Sequence, residues 1–146
     1  HWTTSNGARV YYAAAPTLPM IDIKILFDAG GEHDGAQLGL AAMTSALLPD
    51  GTGDLSADEV AARFEGVGIR FSTHAERDSA AVSLRSLTRP DVLAIALDLA
   101  NRVLRAPSFP PNALERTRAQ MLAGLKAEQQ SPAALADAVV ASPAAR

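Results

Sequence analysis

The sequence predicts an α+β fold, a mostly antiparallel sheet with helices packed on one side. Three observations carry this. Met20–Phe27 alternates polar Asp22 and Lys24 with Ile21, Ile23 and Ile25, the period-two pattern of a half-buried strand. Residues 69–75 and 79–87 alternate in the same way across Glu76-Arg77-Asp78, as two paired antiparallel strands do. Between and after these stretches, apolar residues recur at helical spacing, bounded by Gly and Pro. The predicted order is β-β-α-α-β-β-α-α-α, with residues 1–146 read as a single domain.

Asn6-Gly7 signals a turn, and Ala8 to Ala15, with Val10, Tyr11 and Tyr12, reads as a first strand. Pro16 and Pro19 bracket the loop before the second, Met20–Phe27, which Asp28-Ala29-Gly30-Gly31 ends. An apolar helix is expected over 36–48, closed by Pro49 and Gly51, then a loop over 51–55. Ser56-x-x-Glu59 is a capping box: the serine oxygen takes a free amide of the first turn, and Glu59 reaches back. It opens a helix over 57–65 that buries Val60, Ala61 and Phe64 and stops at Gly66 and Gly68. After the two paired strands, Thr88 is the expected cap of a helix with Pro90 in its first turn. Leu93, Ala96, Leu97, Ala100, Val103 and Leu104 form its expected apolar stripe. Pro107 to Pro111 interrupts the chain. A long helix over 112–129 carries Leu114, Met121, Leu122 and Leu125, and Ser131-Pro132 opens a last helix to about Ala141.

Bulk properties bound the function. A chain of 146 residues, 48% apolar and 20% charged, can bury a core without staples. Net charge is -3 with no basic block and few aromatics, which argues against nucleic-acid binding. No apolar run approaches the ~18 residues of a membrane span. There is no cysteine, so disulfides and thiolate sites are excluded. No signal peptide is visible at His1, and the start without Met suggests a processed or trimmed terminus.

Residues 39–52, Gly-Leu-Ala-Ala-Met-Thr-Ser-Ala-Leu-Leu-Pro-Asp-Gly-Thr, resemble the zinc-site helix of the pitrilysin/insulinase family of metallopeptidases. That family writes it roughly G-L-A-H-F-L-E-H-M-L-F-K-G-T, around the inverted zinc motif H-x-x-E-H. Gly39, Leu40, Ala41, Leu48, Gly51 and Thr52 match. The likeness extends to Asn6-Gly7-x-x-Val10, Ala29-Gly30, Phe64 to Gly68, Ser72 to Asp78, and Phe109-Pro110 with Leu114-Glu115-Arg116. It covers nearly the whole chain and implies that the chain is the N-terminal part of a longer, clamshell-like half.

The resemblance places the two zinc histidines at Ala42 and Ala46, the catalytic glutamate at Ser45 and the third ligand at Gly124, with a further family glutamate at Thr117. Alanine and glycine side chains hold no donor for zinc, and serine cannot serve as the carboxylate base. The expectation is therefore no catalytic residue, no metal and no cofactor on this chain. Other candidates are weak. His33, beside Glu32 and Asp34, and His74, near Glu76 and Asp78, read as solvated polar residues, and no histidine pair has metal spacing. Ser45 lacks a nearby histidine base. Gly30-Gly31 is followed by no phosphate-loop pattern.

Some bacterial members of the family divide the work between a zinc-bearing chain and one that has lost the motif. The resemblance thus implies a non-catalytic subunit of a heteromeric metallopeptidase. Its expected partner is a homologous subunit carrying H-x-x-E-H and the zinc, and together they enclose a peptide substrate. The alternatives are a structural core-type subunit without proteolysis, or an unrelated α+β binding domain. The Ala- and Arg-rich composition suggests a bacterium, with a periplasmic home favoured over a cytoplasmic one.

Overall fold

The computed structural model describes residues 1–130. It opens on a minimal hairpin in which Trp2–Thr3 (β1) pairs antiparallel with Arg9–Val10 (β2). The turn is closed by the Gly7 amide on the Thr4 carbonyl at 3.0 Å, with Gly7 at φ 89°. The strand predicted over Ala8 to Ala15 therefore shrinks to two residues. Trp2 faces Val10 at the end of this two-residue ladder, and Tyr11 and Tyr12 stand exposed.

Met20–Phe27 (β3) forms as the alternation predicts. A 3-10 turn at Gly31–His33 follows, then Leu40–Leu47 (α1) and a second 3-10 turn at Leu48–Asp50. The helix expected over 36–48 is shorter at its start because Gly39 sits at φ 91°, a left-handed conformation that a right-handed helix cannot contain. The expected loop after it holds a small hairpin, Gly51–Thr52 (β4) with Leu55–Ser56 (β5). Ala57–Glu65 (α2) carries both halves of the predicted capping box: the Ser56 amide donates to Glu59 Oε2 at 2.9 Å, and the Glu59 amide to Ser56 Oγ at 3.4 Å.

Arg70–Ala75 (β6) and Ala80–Leu87 (β7) form the predicted antiparallel pair, and β3 joins the free side of β7. The sheet order is β3-β7-β6, with every pairing antiparallel. The α+β fold, with an antiparallel sheet, is thus as predicted. The face toward the helices carries Ile23, Leu84 and Phe71 in one cross-strand row, and Phe71 stacks on Phe64 of α2 at 5.0 Å. The opposite face carries Asp22, Lys24, Arg70, Ser72 and Arg85, all exposed.

Pro90–Arg105 (α3) lays Val92, Ala96, Leu99, Ala100 and Val103 into the core with Val60, Phe64, Ile69 and Leu84. Its buried stripe is rotated by about one residue from the predicted one, leaving Leu97 46% exposed. Thr88 is not its cap. The helix begins at Pro90 with Arg89 at the N-cap, and the Thr88 amide instead bonds the Pro19 carbonyl at 2.9 Å, extending the β3–β7 ladder. Pro111–Gln129 (α4) buries only Ala113 and Thr117. Its predicted apolar residues Leu114, Leu122 and Leu125 face outward. The helix expected from Ser131 to about Ala141 lies outside the described residues.

Three side chains from elsewhere in the chain hold the helix ends. Asp34 is buried and accepts the Gly39 and Ala41 amides at 2.7 and 2.8 Å, so its carboxylate satisfies donors at the start of α1. At the other end, the Ser45 carbonyl would normally receive the amide of residue 49, but Pro49 has none. The Thr73 hydroxyl of β6 donates to it instead at 2.6 Å. Thr52, only 1% exposed, directs its hydroxyl at the Arg102 and Ala106 carbonyls (2.7 and 2.9 Å), closing the last turn of α3.

The loop that carries Asp34 is seated by glycine. A Cβ on Gly30 would lie 2.3 Å from the Ser79 amide nitrogen and 2.5 Å from the Arg77 carbonyl oxygen, so only glycine lets β3's exit pass the β6–β7 turn. The Gly31 and Glu32 amides then bond the Glu76 and Arg77 carbonyls at 2.9 and 2.8 Å.

These contacts give three expected outcomes. Asp34→Ala should lower stability by about 1–2 kcal/mol in urea unfolding, since it strands two amides of α1. Thr73→Val should cost about 1 kcal/mol, with its effect on hydrogen exchange concentrated at the C-terminal turn of α1. Glu59 should titrate by NMR below its ordinary value of 4.5, because the Ser56 amide and hydroxyl stabilise its carboxylate. Its stabilising contribution is complete above the unfolded-state value and is lost as pH falls through the lowered one.

Candidate functional site

Helix α1 lies against β6 and α4, at the edge of the helical layer. It is the element on which the sequence resemblance places the chemistry. Ala42 and Ala46 are four residues apart, one turn along the same stripe of α1, and both are exposed. Two ligands there could grip one ion. Ser45, three residues after Ala42 and one before Ala46, is buried, 6% exposed. Its main-chain carbonyl is the one that Thr73 satisfies.

Gly124 lies within the continuous helix α4, and an added Cβ there would meet nothing within 4 Å. It follows Thr117 by seven residues and so shares its stripe of the helix. The resemblance thus puts its first two ligand positions on α1 and its third on a helix that packs against α1. The donor set does not fit zinc. Two methyl groups and a hydrogen stand where imidazole nitrogens and a carboxylate oxygen are needed at about 2 Å. No step through a metal can be derived from these residues.

The residues that match the family pattern behave differently. Gly39 supplies the positive φ that opens α1, Gly51 (φ 143°) turns the chain into β4, and Thr52 closes α3. A Cβ on Gly51 would press on Ser108 Oγ at 2.5 Å and the Leu55 carbonyl at 2.9 Å. What this chain keeps of the motif is the part that builds backbone.

Beneath α1 a largely apolar cleft of about 420 Å³ opens between the helix, the end of β3 and the start of β7. Phe27, Leu40, Thr44, Ser45 and Val82 line it, with His33 among the lining residues. His33 is half exposed, 3.7 Å from Asp28, and Glu32 completes a group whose ligand atoms lie within 4.8 Å of one another. All three are exposed. Sequence reasoning considered His33 with Glu32 and Asp34. The structure exchanges Asp34, which is committed to α1, for Asp28, which the 3-10 turn brings round. His74 is exposed, 3.8 Å from Glu76, and takes no part in the α1 site. Sequence reasoning missed Asp34 as a helix anchor because its five-residue distance from Gly39 matches no capping pattern.

Among the described residues no helix is long and apolar enough to cross a membrane. The profile of the family described as Insulinase (Peptidase family M16) matches residues 9–146. The non-peptidase homolog YmxG of Helicobacter pylori is 33% identical over 117 residues, which are 80% of this chain and 27% of that protein. A peptidase M16 inactive domain from Pseudomonas fluorescens superimposes with a TM-score of 0.89 at 40% identity, over 93% of this chain and 33% of that one. The periplasmic protease PqqL from Escherichia coli has a TM-score of 0.69 at 19% identity, over 90% of this chain and 15% of that one, a likeness of fold. The chain therefore spans between about a seventh and a third of the length of these relatives. With the profile matching almost end to end and the helix, hairpin and sheet in place around α1, this chain belongs to the insulinase family of peptidases, M16.

Proposed function

We propose that this chain is the N-terminal part of a non-catalytic M16 subunit, which pairs with a homologous zinc-bearing subunit and helps to enclose peptide substrates. The observation that carries the reading is the division within the motif. Gly39, Gly51 and Thr52 keep their backbone roles, while Ala42, Ser45, Ala46 and Gly124 supply no ligand or base. Loss of every donor at once leaves nothing that a small shift of geometry could repair. The names of two relatives support the inactive part of the reading, one a non-peptidase homolog and the other an inactive domain. Both come from bacteria, which supports a bacterial source. Zinc then belongs to the partner, which carries H-x-x-E-H.

In such a pair this chain's contribution is shape. An inactive copy offers the same sheet and helices as the active one, and so can form the opposite wall of a chamber. Peptide specificity can reside there without any bond-breaking group.

Two measurements test this. Purified chain should hold no stoichiometric zinc and cleave no unfolded peptide by itself, with hydrolysis appearing when the zinc-bearing subunit is added. One equivalent of zinc together with hydrolysis by this chain alone would overturn the reading. The triple variant Ala42→His/Ala46→His/Gly124→Glu should gain one zinc by atomic absorption, since all three positions are exposed and Gly124 has room for a side chain. A triple variant that folds but binds no zinc would count against the placement of the lost ligands.

A further inference from the structure

We propose that the open face of the three-stranded sheet docks an acidic polypeptide segment. The proposal does not depend on pairing with an active subunit. The face is built from cross-strand rows. Asp22, Arg85 and Arg70 stand opposite one another in one row, and Lys24, Ser83 and Ser72 in the next. The small Ser83 and Ser72 leave a shallow trough of about 360 Å³ flanked by the longer side chains. A further row sets His74 and Leu26 on either side of Ala81.

The charge on this face is the reverse of the chain's. The whole protein carries 13 Lys and Arg against 16 Asp and Glu. The trough is lined by Lys24, Arg70 and Arg85 with Asp22 as the one acid. Arg85 is occupied by Asp22 in a two-pronged pair at 2.5 and 2.9 Å. That pair holds the Asp22 carboxyl below its ordinary range and keeps it ionised. Lys24 and Arg70 make no ion pair among the described residues. Arg70 also sits directly across from Arg85, a like-charge arrangement that disfavours strand pairing. Two unpaired cations, with Arg70 in register opposite Arg85, give this face a local positive charge that complements an anion.

Spacing selects the kind of anion. Lys24 and Arg70 lie on the two outer strands, two strand spacings or about 10 Å apart across the sheet. A single phosphate or carboxylate reached by both side chains would sit over the open middle of the trough, with solvent on its outer side. Carboxylates on separate residues of an extended chain can each meet one cation, with the hydroxyls of Ser72 and Ser83 available as donors between them. Nothing in the trough encloses a small anion, since Ser72, Arg70, Arg85 and Lys24 are all exposed.

The test is fluorescence anisotropy of a labelled hexaglutamate peptide titrated with the full chain at low ionic strength. Binding should be saturable, weaken as salt is raised, and be absent for hexalysine. Lys24→Ala and Arg70→Ala should each weaken it about threefold, the scale of one exposed charge pair. Ser72→Glu, which places a fixed carboxylate in the trough, should weaken it at least about tenfold while circular dichroism stays unchanged. Failure of hexaglutamate to bind, or equal binding by the Lys24, Arg70 and Ser72 variants, would overturn the proposal. Equal displacement of the peptide by inorganic phosphate would overturn the commitment to an extended polypeptide.

Discussion

Everything around α1 depends on how its two ends are satisfied. A helix of eight residues is far too short to persist on its own, because the nucleation cost is spread over few hydrogen bonds. Here the Asp34 carboxylate receives amides at one end and the Thr73 hydroxyl supplies a donor at the other. One anchor comes from the loop after β3 and the other from β6. The helix is thereby tied to two separate parts of the chain, and its position does not rely on the exposed side chains at 42 and 46.

That independence means that the placement of α1 requires no metal at the positions the resemblance assigns to ligands. A metal bridging α1 and α4 would contribute to holding those helices together. Among the described residues α4 buries only Ala113 and Thr117, and its more distal turns expose Leu122 and Leu125. On the resemblance, α4 is the helix that holds the third ligand position. Helix α1 is held by polar contacts that no metal supplies.

Most of this architecture was legible in the sequence where local pattern and global packing agree. Met20–Phe27, the capping box at Ser56 and the paired strands β6 and β7 were read nearly to the residue, because alternation and cap chemistry are local. The errors share a cause. The strand at 8–15 pairs only at Arg9 and Val10, and pairing is a nonlocal condition that alternation does not report. The start of α1 was set by the sign of one φ at Gly39, which a glycine permits but does not announce. The stripe of α3 turned by one position because the sheet beneath it, and not the helix alone, decides which face is inside. At the site, the positions of the lost ligands were read from a motif frame. Asp34 and Thr73 were invisible as anchors because each acts over a distance that no short pattern encodes.

The two faces of the sheet divide the labour that the family fold makes possible. One face is spent on cohesion, through Leu84, Phe71 and the helices, and has little freedom to change. The other is charged: the Asp22–Arg85 pair ties β3 to β7, while Arg70 opposite Arg85 works slightly against pairing. Asp22 neutralises Arg85, so the charge left over on this face is that of Lys24 and Arg70, in a chain of net charge -3. Recognition of an anionic chain is a function that such a surface can perform whatever the site on α1 does. Binding without cleavage requires only that the groups on the open face be held at fixed spacing, and the central strand β7, paired on both sides, supplies that spacing.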